Sequence, residues 1–169
     1  MVKNIALTGM SGAGKTTTAN ILGGLLPEFS VVDTDELIIN DTGLTIPEIF
    51  AKFGEEYFRK KETEVITAAF KKSNQIISLG GGAFECETNQ KIIKENSIVI
   101  YLKTNPEILL NRLENSNDRP LLENCPKSDK IREILNQRST NYEKSDIIIE
   151  TNNKTPDEIA QEIIEALKE

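Results

Sequence analysis

Gly9-Met10-Ser11-Gly12-Ala13-Gly14-Lys15-Thr16 is a complete G-x-x-x-x-G-K-[ST] run, set between an apolar, strand-sized segment and a helical one. Its glycines let the backbone curl so that successive N–H groups, and the N-terminus of the following helix, point at phosphate oxygens. In such a loop Lys15 bridges β- and γ-phosphates and the Thr16 hydroxyl ligates Mg²⁺. The run predicts a nucleoside triphosphate and Mg²⁺ as ligands. A second carboxylate-bearing element is needed beside it, yet the third apolar run, IISL, passes directly into Gly80-Gly81-Gly82 with no Walker-B Asp. Asp33 and Asp35, in VVDTDE at the end of the second apolar run, are best placed for that work, because the strand ends of an open α/β sheet meet beside the phosphate loop.

The arginines carry the next signal. Five occur against fifteen lysines, so this chain does not favour Arg for ordinary solvated charge. Arg forks bind carboxylate or phosphate bidentately in a way Lys does not. Arg59, Arg112, Arg119 and Arg138 lie in or beside segments already of interest, whereas Arg132 reads as a helix-surface residue. There is no His, which excludes Ser-His and Cys-His nucleophile pairs, His-ligated zinc and imidazole acid–base chemistry. Cys86 and Cys125 stand apart rather than in a CxxC pair and read as reduced thiols without a catalytic role. A guanine-nucleotide switch is excluded too: no D-x-x-G occurs, and the nearest base-reading candidate, Asn153-Lys154-Thr155-Pro156, has Pro where Asp is required.

The elements that would hold these groups follow from the hydrophobic pattern. Strand-sized runs occupy 2–8, 30–33, 74–79, 97–103 and 146–150, with nearly continuous apolar centres expected of strands covered on both faces of a parallel sheet. Helical spacing fills 16–26, 55–72, 87–94, 106–113, 130–142 and 156–167. Strands alternating with helices predict an α/β fold of three layers, a five-stranded parallel sheet with helices on both faces. Two segments break the rhythm. Residues 34–54 read as a helical insertion containing Glu36–Asn40, a Gly43 turn and Ile46–Phe53 with Pro47 in the first turn. Residues 114–127 are polar, carry two prolines and resemble a lid.

Composition bounds the rest. The chain has 169 residues, 38% hydrophobic and 28% charged, which is the range of one globular domain. A formal charge of −7 repels phosphate backbones and anionic membranes, so no nucleic-acid or membrane partner is expected. The opening MVKNIALTGM is short for a secretory leader, and no stretch approaches the about 18 apolar residues of a membrane span. A cytoplasmic monomer is the expectation.

Taken together and in order, these residues resemble the shikimate kinase family. The resemblance rests on GMSGAGKT (9–16), the acidic pair in DTD (33–35), GEEYFRKKE (54–62) against the family's GExxFRxxE, the triple glycine 80–82, RPLL (119–122), and RSTNY (138–142) against RxxxY. It covers nearly the whole chain and implies one P-loop kinase domain over 1–169, with acceptor binding in 34–62 and a lid in 114–127. It also implies an activity: transfer of the γ-phosphoryl of MgATP to the 3-hydroxyl of shikimate. By position it implies that Asp35 accepts hydrogen bonds from acceptor hydroxyls and serves as base or orienter for the attacking oxygen, that Arg59 and Arg138 clamp the acceptor carboxylate, and that the Gly81 backbone contacts a hydroxyl. Glu62 would orient Arg59. Nucleotide binding would fall to Gly12, Ala13, Gly14, Lys15, Thr16 and Thr17, with Arg112 and Pro156 flanking adenine and Arg119 reaching the transferring phosphates. Thr16, and Asp33 through water, would hold Mg²⁺.

Residue type alone leaves several of these positions open. Asp35 could N-cap the helix that begins at Glu36. Arg59 could be a helix-surface residue paired with Glu62 or Glu55. The triple glycine could be a strand-exit turn. Other small P-loop kinases, for gluconate, adenylate or nucleosides, share the phosphate loop, and a non-catalytic nucleotide-dependent module would share it as well.

Overall fold

A computed structural model of the chain describes residues 4–113 and 127–168. Five strands, β1 (Asn4–Thr8), β2 (Ser30–Asp33), β3 (Gln75–Ser78), β4 (Ser97–Lys103) and β5 (Ile147–Glu150), form one parallel sheet in the order β2-β3-β1-β4-β5. Among the described residues the helices are α1 (Lys15–Leu25), α2 (Thr34–Thr42), α3 (Ile46–Ala69), α4 (Glu87–Asn96), α5 (Pro106–Leu113), α6 (Lys127–Tyr142) and α7 (Pro156–Ala166), and a 3₁₀ turn spans Ala83–Glu85. The layered α/β arrangement expected from the sequence is the one observed. The segment 114–126, with Arg119 and Cys125, lies outside the described residues. Lys127, expected at the end of the lid, instead begins α6.

Apolar continuity along the strands explains the core. Ile5, Ala6, Leu7, Ile76, Ile77, Val99, Ile100 and Leu102 are all buried, with Leu22, Ile66, Ile93, Leu109 and Ile163 packed over them from the helices. Each such aliphatic burial contributes about 1.5–3 kcal/mol before the entropy cost of ordering the chain. The expectation of cover on both faces holds for β1, β3 and β4 but not for β2 and β5. These are the two edges of the sheet, where Val31 and Ile148 are exposed.

Register places the site. Asp33 pairs with Ser78 across β2 and β3, Leu7 pairs with Ser78 across β1 and β3, and the Leu79 N–H donates to Leu7 O at 3.0 Å. The three carboxyl ends therefore stop level with one another. The chain leaves them as the phosphate loop, as α2 and as the triple glycine, three segments released side by side.

The insertion forms as expected, with differences at its joints. Asp33 caps α2 by accepting from the Asp35 and Glu36 N–H groups, so the helix starts at Thr34, earlier than periodicity suggests. The two helices expected on either side of Gly54 are both present, joined end to end within α3 by a kink at Gly54, whose φ of 81° is non-helical and one that a Cβ would penalise. Thr45 and Glu48 form a reciprocal capping box at its start. A small second core of Ile38, Ile49 and Phe58 holds α2 against α3, separate from the main core.

Candidate active site

At the phosphate loop Gly14 takes φ 91° and supplies the N-cap of α1 with no side chain in the way, leaving the N-terminal amides of that helix open to an anion. Lys15 is buried and its ammonium donates to the Gly9 and Met10 carbonyls at 2.8 and 2.9 Å, which holds it over the loop. The Thr16 hydroxyl donates to Asp33 Oδ2 at 2.6 Å and lies 3.1 Å from Ser78 Oγ. Asp33 thus has two tasks on two oxygens, Oδ1 for the helix cap and Oδ2 for Thr16. Sequence reasoning missed Ser78; only the β2–β3 register brings it to this point.

The Thr16, Asp33 and Ser78 oxygens are hard donors of the kind Mg²⁺ takes. Among the described residues no group of three or more His, Cys, Asp or Glu is gathered as a metal cage. That donor set fits a cation that shares its coordination with phosphate and water.

The second half of the site surrounds Gly80-Gly81-Gly82. A Cβ placed on Gly80 would stand 2.7 Å from Asp35 Oδ1 and 3.0 Å from Glu62 Oε1; one on Gly82 would stand 2.5 Å from Arg59 Nη1. One on Gly81 would meet Ser11 Oγ at 3.1 Å and Arg138 Nη1 at 3.4 Å. Two carboxylates, two guanidinium groups and the phosphate loop therefore converge on a backbone that only glycine keeps low enough. An open groove runs along the phosphate loop as far as Asp35 and the first two of these glycines, lined by Gly12, Gly14, Lys15, Thr16, Thr17, Asp33, Asp35, Ser78, Leu79, Gly80 and Gly81. The triple glycine is more than a strand-exit turn. Thr34, buried at the start of α2, anchors it by accepting from the Gly80 N–H at 2.9 Å, a role no sequence pattern announced.

Asp35 does not cap α2, since Asp33 does, so its carboxylate faces Gly80 instead. Arg59 is paired, as its helical spacing allowed, with Glu62 at 2.9 Å and Glu55 at 3.3 Å. The pair is not an ordinary surface bridge, because Glu62 is 1% exposed and Arg59 faces Gly82. Loss of water raises the Glu62 pKa above its usual range and the nearby Asp35 adds to the rise, while Arg59 and Arg138 oppose it. Burial works against the Arg59 charge, but Glu62 and Glu55 more than offset it and raise its pKa.

Arg112 donates to Gly12 O at 2.9 Å and so rests on the outside of the phosphate loop. Pro156 is exposed at the first position of α7, behind the Thr155–Glu158 capping box, the ordinary place for a helix-starting proline. Arg132, on the surface as expected, bridges to Glu107 of α5 at 2.6 Å. Cys86 is an exposed free thiol. No helix among the described residues is long and apolar enough to cross a membrane.

The phosphate loop thus lies beside two carboxylates and two guanidinium groups gathered on the triple glycine. The shikimate kinase family model matches residues 11–168. A shikimate kinase of Caldanaerobacter subterraneus subsp. tengcongensis is 39% identical over 165 residues, covering 98% of this chain and 96% of that protein. The solved shikimate kinase of Acinetobacter baumannii in complex with shikimate superposes with a TM-score of 0.96 at 36% identity, covering 99% of this chain and 94% of that one. The Aquifex aeolicus shikimate kinase structure gives 0.86 at 34% identity, with 98% and 96% covered.

Proposed function

The chain belongs to the shikimate kinase family, and from that membership we propose that it transfers the γ-phosphoryl of ATP to the 3-hydroxyl of shikimate, giving shikimate 3-phosphate and ADP for aromatic amino-acid biosynthesis. The observation that carries this reading is the convergence of Asp35, Glu62, Arg59 and Arg138 on Gly80–Gly82 beside the phosphate loop. A compact carboxylated polyol suits that pocket: two forks neutralise its carboxylate, and exposed glycine backbone and an aspartate meet its hydroxyls.

The roles follow from placement. The phosphate-loop amides from Gly12 to Thr17 bind the triphosphate, and Lys15 turns from its loop carbonyls to the β- and γ-phosphates. Arg59 and Arg138 hold the acceptor carboxylate, the Gly81 backbone contacts an acceptor hydroxyl, and Asp35 orients the attacking oxygen and takes its proton. Glu62 aims Arg59. Arg112 and Pro156 are assigned to adenine and Arg119 to the transferring phosphates, these three on the resemblance. Thr16, with Asp33 through water, would hold Mg²⁺, which when bound neutralises charge on the phosphates. Transfer is in line and needs no covalent enzyme intermediate, so catalysis is positioning plus charge stabilisation. Acceptor binding is assigned to 34–62 and the lid to 114–126 within one domain. The charge of −7 supports a protein without nucleic-acid or membrane partners, and we read it as a cytoplasmic monomer.

The test is ADP release from MgATP with shikimate, gluconate, AMP or no acceptor. Turnover with shikimate alone, collapsing in Arg59→Ala, is expected. Turnover only with another acceptor overturns the assignment of the arginines.

A further inference from the structure

Glu62 is 1% exposed, and its two carboxylate oxygens have unequal surroundings. Oε2 accepts from Arg59 Nη1 at 2.9 Å. Oε1 is buried and has no hydrogen-bond partner among the described residues. A buried polar atom left unpaired is costly, and an anionic one more so. Oε1 looks onto Gly80: a Cβ there would stand 3.0 Å from it and 2.7 Å from Asp35 Oδ1, so two acidic oxygens border one face of the pocket. The charged groups that face Glu62 are Arg59 on its own helix, Asp35 from α2 and Arg138 from α6. Arg59 is itself divided, because Nη2 bridges to Glu55 at 3.3 Å. The Glu62 charge therefore leans on a shared guanidinium, with a second carboxylate across the glycine.

We propose that Glu62 takes up a proton on Oε1 as the acceptor carboxylate binds between Arg59 and Arg138, so that acceptor and proton enter the site together. The inference rests on the acceptor assignment made above. An incoming carboxylate draws both guanidinium groups into bonds of its own and sets a further negative charge beside a buried one. Protonation removes the buried charge. The proton comes from solvent and forms an O–H bond on Oε1, while Oε2 goes on accepting from Arg59, so the fork keeps its aim. An Oε1–H also gives the Gly80 face a donor beside the acceptor Asp35 Oδ1, which suits a hydroxylated ligand. Burial already raises the Glu62 pKa, with Asp35 adding to the rise and the two arginines opposing it. An acceptor that occupies both arginines weakens that opposition and moves the group further the same way. By linkage, acceptor affinity is highest at low pH and falls as pH rises from the Glu62 value without acceptor to the value with it.

The experiment is calorimetric titration of the protein with shikimate in two buffers of different protonation enthalpy, over a series of pH values above the acceptor's own carboxyl range. The difference in heat between buffers counts protons. Wild type is expected to take up a proton, approaching one per site at its maximum, with Kd for shikimate rising by up to about tenfold per pH unit across that window. Glu62→Gln keeps an oxygen for Arg59 but does not titrate, so it should show no uptake and a Kd independent of pH there. Asp35→Asn should bind shikimate more weakly and still take up the proton, which distinguishes Glu62 from its neighbour. The carboxamide of shikimate, titrated into wild type, should bind without uptake, and this arm needs no variant to fold. Shikimate binding without proton uptake, uptake that persists in Glu62→Gln, uptake lost in Asp35→Asn, or equal uptake with the carboxamide would each overturn the proposal while leaving the acceptor assignment standing. Absence of shikimate binding to wild type would overturn both.

Discussion

Gly82 and the Arg59 guanidinium stand so close that a Cβ on Gly82 would fall 2.5 Å from Nη1 and 2.6 Å from Nη2. The neighbour is the far end of a flexible side chain, so Gly82→Ala should fold. Arg59 is nevertheless pinned by Glu62 and Glu55 and has no slack of its own. The added methyl should therefore push the fork off its aim and raise KM for shikimate by about tenfold or more while leaving KM for ATP in place. Kinetics with each substrate varied in turn check this, and a parallel rise in both constants would count against the geometry.

Glu62 offers a pH test. Its pKa is raised by burial from the ordinary 4.5, so the folded protein binds its proton more tightly than the unfolded chain does. The sign follows from linkage: the stability this group contributes is fully present below 4.5 and is lost as pH rises through the raised value. Exposed Glu48, Glu107 and Glu158 have lowered values and act in the opposite sense, so only a difference measurement isolates Glu62. The stability of Glu62→Gln minus that of wild type should climb as pH increases from 4.5 upward. Chemical denaturation at a series of pH values reads it, and a flat difference would refute the assignment.

Two adjacent glycines in α1 should respond with opposite signs. A Cβ on Gly24 meets nothing within 4 Å, so Gly24→Ala should stabilise the helix by about 0.5–1 kcal/mol. A Cβ on Gly23 would lie 2.3 Å from Val31 Cγ2, on the strand beneath, so Gly23→Ala should destabilise by about 1–3 kcal/mol. Thermal unfolding of the two variants side by side decides it.

What the sequence made legible was what is contiguous. The phosphate loop, the kinked helix pair around Gly54 and the arginine spacing are all local patterns, and each points to its element directly. The contributions of Ser78 and Thr34 were not legible, because both depend on the parallel register that sets Ser78 against Asp33 and brings the Gly80 amide over α2. Tyr142 was legible as a motif letter, but its hydroxyl donates to the Gly81 carbonyl, in a strand-end loop 61 residues away in sequence. Asp35 alone read as a possible helix cap in the sequence, yet Asp33, two residues earlier at the strand end, satisfies the same rule. Only the backbone direction after β2 assigns the cap to Asp33 and leaves Asp35 to the pocket.

That division of labour gives the last prediction. Asp33 uses Oδ1 for the amides of Asp35 and Glu36 and Oδ2 for the Thr16 hydroxyl. Asparagine retains one oxygen, caps helices about as well as aspartate, and loses the charge. Asp33→Asn should therefore keep wild-type stability while its activity falls and its Mg²⁺ requirement shifts to higher concentration. Asp33→Ala loses both functions and should in addition lose about 0.5–2 kcal/mol of stability, the cost of a missing cap. With α2 less firmly started, Asp35 also loses its fixed approach to Gly80, so the alanine variant should show a raised KM for shikimate that the asparagine variant does not. Magnesium titrations of activity, read beside denaturation curves for both variants, separate the two oxygens. If asparagine proved as destabilising as alanine, or left the magnesium dependence untouched, the assignment of separate tasks to Oδ1 and Oδ2 would be wrong.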